Sequence, residues 1–493
     1  MHRARRFVLG SLVICTGMTS PGMLRQADGQ DGQTIAWEQR DYGWLPGRLM
    51  EFVGVKPTVV GNLLYVLSGP LTGEPEMSSE AFIAVDCATG KTKWKSEARF
   101  GPTKHELGIA ASAGVLYLLD RDVAKLIAEA RMYGIDQKTG RELWKKNLKV
   151  SLLGEVDPGL YEGWPTAYPY PDNFLALDGA KGIVSAASGG GYSSSLIYPD
   201  TGDPLFKPDG GGIIWYYDDK RVVYTARDKI KAVDLASGAE LWSRDLPAPP
   251  QARPGTGDAM AIGTTIYVMT TANKLYKFDA VSGSVLLEKS LEGKGYDAFA
   301  FEGKTVLVSS SDGKGNLVAV DHASNQELWK YPNPGRGYSV HLAANGTICY
   351  ASSEKGGGLH VLRADRGEKL WSSPLKAEGI AAHDDRVFVS SEKSVIALDR
   401  STGKELWRFD DRWPVRFPVA VDTTTGVVYH GSSDKGGFIY ALDGASGKEI
   451  WRHKLENTPS LCPLIVAGGS VLYRQLDDKK YGIIRALKAA PKP

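Results

Sequence analysis

One short pattern recurs along almost the whole of this 493-residue chain. An apolar run leads into an aspartate, two or three loop residues, a glycine and, four residues after the glycine, a tryptophan. Six copies are AVDCATGKTKW, GIDQKTGRELW, AVDLASGAELW, AVDHASNQELW, ALDRSTGKELW and ALDGASGKEIW, ending at Trp94, Trp144, Trp242, Trp329, Trp407 and Trp451. Weaker copies carry Leu287 in place of tryptophan, Arg363 in place of aspartate, or only Gly202 between Tyr198 and Phe206. Such recurrence predicts a repeat architecture.

Each part of the pattern has a physical role. The apolar run is typical of a buried strand, and the aspartate can accept hydrogen bonds from backbone N–H groups of the turn that follows. Glycine supplies the positive φ that closes a short hairpin, and tryptophan can fill the gap between two packed sheets. Two further strand-like runs precede each aspartate, as GIAAHDD and RVFVSSE precede SVIALD. Each unit is therefore predicted to be four short antiparallel strands.

Four-stranded units in tandem predict an all-β fold, a β-propeller whose ring closes on itself. The chain finishes with three strand-like runs, PSLCPLIVAGG, SVLYRQLDD and YGIIRALKA, whereas QDGQTIAWEQR near the start resembles an isolated tryptophan strand around Trp37. We therefore predict that the N-terminal strand completes the C-terminal blade. Nine internal copies and this composite one predict ten blades, with the weak copy at Tyr198 as the least secure.

The repeat resembles the pyrroloquinoline-quinone (PQQ) repeat of the quinoprotein alcohol dehydrogenase-like superfamily, in which the same aspartate, glycine and tryptophan form tryptophan-docking motifs. The resemblance covers residues 30 to 490, and it implies eight blades, the family norm, against the ten counted. The PQQ repeat is shared by catalytic quinoproteins, by the propeller lipoprotein of outer-membrane barrel assembly and by sensor domains of some bacterial kinases. The resemblance therefore predicts the fold more narrowly than the chemistry.

The choice between enzyme and binding module depends on catalytic accessories. Resemblance to the dehydrogenases would imply adjacent cysteines beside the cofactor, and the sequence has no Cys-Cys pair and no Cys-x-x-Cys-His. We predict a binding or scaffolding module of the cell envelope with no catalytic residue and no cofactor. The alternative is a PQQ-dependent alcohol or sugar dehydrogenase that lacks the adjacent cysteines and uses PQQ and calcium. Calcium ligands stay open, because oxygen ligands from separate blades leave no local spacing.

Function in a propeller usually lies in loops that do not repeat. The longest connection, from Gly154 to Asn173, carries aromatic residues between prolines, and it suits recognition of a peptide or sugar unless its rings pack on their own blade. Two further connections place arginine near an inner strand and could hold an anion. The candidate binding residues are Trp164, Tyr168, Tyr170, Arg336, His341, Trp413 and Arg416. A predicted helix over residues 122–131 is another candidate surface.

Targeting and charge narrow the setting. Residues 1–27 have a basic start and an apolar run from Phe7 to Ile14, which predicts a signal peptide before a single propeller domain over 28–493, and so a periplasmic or extracellular monomer. No later run is long enough to predict a transmembrane segment. Lys+Arg 59 against Asp+Glu 57 gives a net charge of +2, which disfavours nucleic acid. The expected partner is an envelope protein or an anionic small molecule or sugar. Two alternatives stay open for Cys87, Cys349 and Cys462: a disulfide bridge between Cys349 and Cys462, or three unpaired buried cysteines.

Overall fold

The structure is a computed structural model, and all of the regular structure that it describes is β. It describes residues 35–41, 58–68, 80–100, 105–112, 114–122, 129–149, 182–188, 191–198, 201–206, 208, 213–226, 228–249, 259–292, 296–301, 305–310, 316–332, 338–344, 346–352, 358–412, 419–432, 437–456, 464–476 and 482–491. Within these ranges the strands form ten antiparallel sheets, nine with four strands and one with three.

The first five sheets follow the chain order. They are sheet 1, β2–β5 (Thr58–Val60, Leu63–Ser68, Glu80–Asp86, Thr92–Phe100); sheet 2, β6–β9 (His105–Ser112, Val115–Asp122, Glu129–Asp136, Glu142–Lys149); sheet 3, β10–β12 (Gly182–Ser188, Gly191–Ile197, Pro204–Phe206); sheet 4, β13–β16 (Ile213–Tyr217, Arg221–Ala226, Lys229–Asp234, Glu240–Asp245); and sheet 5, β17–β20 (Ala259–Ile262, Thr265–Met269, Lys274–Asp279, Val285–Ser290).

The other five sheets include the one that joins the two ends of the chain. They are sheet 6, β21–β24 (Tyr296–Phe301, Thr305–Ser310, Asn316–Asp321, Glu327–Pro332); sheet 7, β25–β28 (Tyr338–Ala344, Thr347–Ser352, Leu359–Arg363, Lys369–Ser373); sheet 8, β29–β32 (Gly379–His383, Arg386–Ser391, Ser394–Asp399, Glu405–Asp410); sheet 9, β33–β36 (Ala420–Val421, Val427–Gly431, Phe438–Asp443, Glu449–Lys454); and sheet 10, β37–β39 (Ile465–Ala467, Ser470–Leu476, Gly482–Lys488) with β1 (Ile35–Asp41).

The sheets form a closed ring, as the repeat predicts. First strands of neighbouring sheets lie side by side, as β17 with β21 and β25 with β29, so the first strand is the inner one and the fourth the outer one. β1 pairs with β39 and also contacts β3, so sheet 10 meets sheet 1. The predicted β-propeller and its closure by the N-terminal strand are confirmed, and the sheets in the described residues equal the ten units counted in the sequence.

Tryptophans hold neighbouring sheets together. Six of the rings lie between two sheets, and the indole N–H of each donates a hydrogen bond to the backbone carbonyl of the residue that follows the aspartate position in the next sheet's turn. The donor and acceptor residues are Trp37 and Cys87 (3.0 Å), Trp94 and Gln137 (2.9 Å), Trp242 and Ala280 (3.2 Å), Trp329 and Ala364 (2.9 Å), Trp371 and Arg400 (2.9 Å), and Trp407 and Gly444 (3.0 Å). The predicted position of these rings between sheets is confirmed.

The turn under each ring is built as the pattern predicts. In sheet 8 the Asp399 carboxylate accepts backbone hydrogen bonds from Ser401 and Thr402, and Gly403 adopts φ +72°. Hydrogen bonds from the Ser401 hydroxyl and from Thr402 lower the pKa of Asp399 to about 2. The weak copy forms the same hairpin, since Gly202 N–H donates to the Tyr198 carbonyl. The turn thus survives loss of the aspartate.

The predicted helix and the predicted cysteine pairing compare differently with the structure. The helix predicted over 122–131 is wrong where the structure describes it, because Asp122 ends β7 and Glu129–Asp136 is β8, paired with β7. Residues 123–128 lie outside the described residues, as do the predicted signal peptide and Cys462. Cys349 is buried and free on β26, and burial raises the pKa of its thiol to about 12.

Candidate functional site

The two ends of the ring are not equivalent. Because strands alternate in direction, the connection from a fourth strand to the next first strand emerges at the same end as the hairpin between second and third strands. We call this end the connection face, and we call the opposite end, which carries the tryptophan-docking turns, the turn face. In the part of the chain that the structure describes, the strands beside the connections that carry Arg336 and Trp413 obey this rule. The three strands described for sheet 3 do not include a first strand, because β11 leads into the docking turn with Gly202 and β10 therefore corresponds to a second strand.

Six of the predicted binding residues fall, in the sequence, in connections between described strands. The stretch with Trp164, Tyr168 and Tyr170 runs from β9 to β10, Arg336 lies between β24 and β25, and Trp413 and Arg416 lie between β32 and β33. These six residues are outside the described residues, so their roles stay predictions. His341 is within β25, at an irregularity where pairing with β26 shifts between Val340 and Leu342.

A buried carboxylate breaks the repeat at this face. Asp411 directly follows β32, and its N–H donates to the Lys393 carbonyl in the hairpin between β30 and β31 (2.7 Å). The same backbone hydrogen bond is made by a leucine in three other sheets, at Leu246, Leu291 and Leu455. Leucine at this position supplies apolar contact, whereas Asp411, a residue that is 6% exposed, brings a buried carboxylate. Burying an aspartate carboxylate at this position costs free energy of desolvation unless hydrogen bonds compensate for the lost water.

The donors to Asp411 come from the neighbouring sheet. Ser432 Oγ and His430 Nε2 lie 2.7 Å and 3.1 Å from Asp411 Oδ2, and Tyr440 Oη lies 3.4 Å from Oδ1. The imidazole of His430 stacks on Tyr440, with ring centroids 5.3 Å apart and planes at 7°. Charge-assisted hydrogen bonds of this kind are the stronger ones in proteins. The group, which we call the Asp411 cluster, therefore ties sheet 8 to sheet 9 beside the connection that carries Trp413 and Arg416.

The arrangement suits anchoring rather than nucleophilic catalysis. Ser432 and His430 bond the same oxygen of Asp411, so the imidazole does not lie between the hydroxyl and the carboxylate as a general base would. The His430 and Asp411 side chains are fully buried, and His430 Nδ1 has no hydrogen-bond partner among the described residues. Burial raises the pKa of the Tyr440 phenol, so it stays a donor.

The sequence carried a signal for this cluster that reasoning by motif missed. In five sheets leucine stands four residues after the tryptophan position, whereas Asp411 stands four residues after Trp407. His430 likewise replaces the valine found at the matching register position in sheets 1, 5 and 8, namely Val66, Val268 and Val389. Aligning units by register rather than by turn motif would have exposed both.

No group of three or more histidine, cysteine, aspartate or glutamate side chains in the described residues could hold a metal ion. The described part of the chain contains no helix that is long and apolar enough to cross a membrane. PQQ and calcium stay predictions that belong to the dehydrogenase alternative.

Comparison with known proteins connects this geometry to a family. A PQQ-repeat family model described as "Outer membrane protein assembly factor BamB" matches residues 11–154, 226–378 and 355–488, which is most of the chain. The chain belongs to this family. The tryptophan docking and the closed ring are thus the family's repeat as it folds in this sequence.

Individual relatives are more distant. An outer membrane protein assembly factor BamB of Moranella endobia (strain PCIT) is 30% identical over 106 residues, which is 20% of this chain and 27% of the relative. The chain thus spans about a quarter of that relative's length. The BamB structure from Moraxella catarrhalis has 18% identity and a TM-score of 0.35, and covers 65% of this chain and 95% of its own. A europium-containing methanol dehydrogenase has 14% identity and a TM-score of 0.37, with 92% and 93% covered.

Proposed function

We propose that this protein is an exported binding or scaffolding module of the cell envelope that recognises a protein partner through its connection face. The observation that carries the proposal is the family match over most of the chain, whose description is an outer membrane assembly factor. The expected partner is therefore a protein of outer-membrane assembly, and the expected compartment is periplasmic. Nothing in this function requires a cofactor.

The Asp411 cluster supports the choice of face. A buried carboxylate and a buried histidine cost more desolvation than the leucine and valine of other sheets, so stability alone does not favour them. They lie where sheets 8 and 9 meet at the connection face, bonded through Asp411 Oδ2. Fixing the start of the connection that carries Trp413 and Arg416 lowers the entropy that those side chains would lose on binding.

Capture of envelope proteins tests the proposal. The purified protein is cross-linked to a detergent-solubilised outer-membrane fraction of its own source bacterium, and partners are identified by mass spectrometry. We expect an outer-membrane assembly protein to be captured, and capture to be lost in the double variant Trp164→Ala with Arg416→Ala. Leu241→Ala removes an outer-strand leucine that is 48% exposed and is the matched control that keeps capture. Undiminished capture by the double variant would place recognition elsewhere.

A second pair of changes tests the Asp411 cluster. The variant Asp411→Leu with His430→Val restores the residue types of the other sheets, so we expect a thermal midpoint at or above that of the unmodified protein. Capture should nevertheless weaken at least about tenfold, because the connection loses its fixed start. Full capture by this stable variant would show the cluster to be structural only. PQQ-dependent dye reduction with alcohols or sugars by the unmodified protein would favour the dehydrogenase instead.

A further inference from the structure

The interface between sheets 5 and 6 departs from the others at three positions at once. Lys277, Leu287 and Asn325 stand where the repeat has a small residue, the docking tryptophan and the turn glycine. In eight other sheets the tryptophan's cross-strand partner is small or short, namely Ala84, Gly134, Ala232, Ala319, Val361, Ala397, Ala441 and Ala486. In sheet 5 the partner of Leu287 is Lys277. The three changes therefore lie at one contact.

Lys277 takes over the hydrogen bond that tryptophan makes elsewhere. Its Nζ donates to the carbonyl of His322, the residue after Asp321 in the turn of sheet 6. That carbonyl is equivalent to the Ala280 and Ala364 carbonyls that accept an indole N–H in the two flanking interfaces. Nζ also donates to Asn325 Oδ1 at 2.5 Å. An ammonium on a long aliphatic side chain thus replaces an indole at the same acceptor.

Asn325 depends on the loss of the tryptophan. Where a tryptophan docks, as Trp329 does on Gly367, a Cβ added to the turn glycine would lie 2.4 Å from the indole ring. Leu287 carries no indole ring at this contact, and Asn325 keeps the left-handed turn at φ +63° while its Nδ2 donates to the Leu286 carbonyl at 2.9 Å. The asparagine therefore bonds back to sheet 5.

Lys277 is the buried member of this polar contact, whereas Leu287 and Asn325 are half-buried. Lys277 is 3% exposed, and its Nζ lies 5.9 Å from the centroid of the Tyr267 ring. Tyr267 Oη lies 2.8 Å from His322 Nδ1. Burial lowers the pKa of Lys277, which the charge of Asp321 partly opposes, and burial also lowers the pKa of His322. The ammonium is held by hydrogen bonds, yet it would regain hydration if the sheets parted.

We propose that Lys277, Leu287 and Asn325 form a lysine latch at which the ring opens to water more readily than at the tryptophan interfaces on either side. Parting a tryptophan interface exposes an indole with no compensating gain. Parting the latch exposes only Leu287 and Asn325, and it hydrates the ammonium. The contact between sheets 5 and 6, which we call the seam, is therefore where we expect the ring to open.

Hydrogen–deuterium exchange of the unmodified protein tests the seam. The comparison is between backbone amides at the contact of sheets 5 and 6 and those at the two flanking tryptophan contacts. The first set is β19, β20, β23 and β24, and the second is β15 and β16 with β27 and β28. We expect amides of β20, the outer strand that carries Leu287, to exchange at least about tenfold faster than those of β16, the equivalent outer strand that carries Trp242. Equal protection of β20 and β16 would overturn the proposal without any variant.

Substitutions test whether the three positions act as one unit. Lys277→Ala, Leu287→Trp and Asn325→Gly together recreate the docking of the other sheets, and should slow exchange of β20 to the rate of β16 and raise the thermal midpoint. Leu287→Trp alone is the matched control and should lower the midpoint, because the ring meets Lys277 and Asn325. A triple variant no more stable than this single variant would show that the positions are independent and would refute the latch.

Discussion

Substituting one turn glycine measures what tryptophan docking contributes, because the chain offers a matched control. Gly403 and Gly238 occupy equivalent turns with the same φ of +72°. A Cβ on Gly403 would lie 2.5 Å from Cδ2 of Trp371, whereas a Cβ on Gly238 would meet nothing within 4 Å. Both alanine variants carry the strain of a left-handed residue, roughly 1–2 kcal/mol. Only Gly403→Ala must also move an indole ring.

The additional loss at Gly403 follows from what Trp371 would give up. The ring is 8% exposed, and its N–H donates to the Arg400 carbonyl at 2.9 Å. Overpacking costs about 1–3 kcal/mol, and loss of the hydrogen bond adds about 1 kcal/mol. We expect Gly403→Ala to lose about 2–4 kcal/mol more stability than Gly238→Ala.

Urea unfolding followed by far-ultraviolet circular dichroism measures this difference, provided that the two variants share one slope against urea. In a protein that already carries Trp371→Leu, adding Gly403→Ala should cost no more than Gly238→Ala costs in the unmodified protein, since Leu287 already coexists with a non-glycine turn at Asn325. Equal losses for Gly403→Ala and Gly238→Ala would refute the reasoning. The glycine would then be required for its φ alone.

Three further predictions concern the ring. Trp407→Ala should destabilise by about 3–5 kcal/mol, and Trp451→Ala by about 1 kcal/mol less, because Trp451 Nε1 has no hydrogen-bond partner among the described residues; urea midpoints compare them. A protein starting at residue 45 lacks β1 and should melt far below one starting at residue 28, and equal melting would contradict closure by β1. The Asp399 pKa of about 2 lies below its ordinary 3.8, so its contribution to stability is present above pH 3.8 and lost as the pH falls to about 2. Asp399→Asn should make acid unfolding shallower in that window.

The fold could be predicted from the sequence because its determinants are local. The aspartate, glycine and tryptophan of one unit lie within a dozen residues, and the spacing alone indicates hairpins that stack in a ring. Closure by Trp37 could be predicted because an isolated tryptophan strand matched three strands that had no fourth. The helix over 122–131 failed because pairing of β7 with β8 outweighs a short amphipathic pattern.

The candidate site was harder to predict, because its residues meet across sheets. Asp411 and His430 belong to neighbouring units, and neither carries a motif of its own. Leu287 was recognised as a weak copy of the tryptophan, but its dependence on Lys277 and Asn325 required the strand register and the position of the next turn. The long connections gave candidates by composition alone, which indicates recognition without showing which side chains converge.

Sheet 10 also sets the order in which the protein can be assembled. β1 is among the first strands to be synthesised and its partner β39 is among the last, and Glu38 reaches Arg485 across 447 positions of sequence. Until that pairing forms, the face of sheet 1 that contains Leu64 and Val66 lacks the cover it has in the finished ring. Pairing over such separations is slow. β1 therefore stays without its partner until β39 has been synthesised, and unpaired strands with an uncovered apolar face favour aggregation during that time.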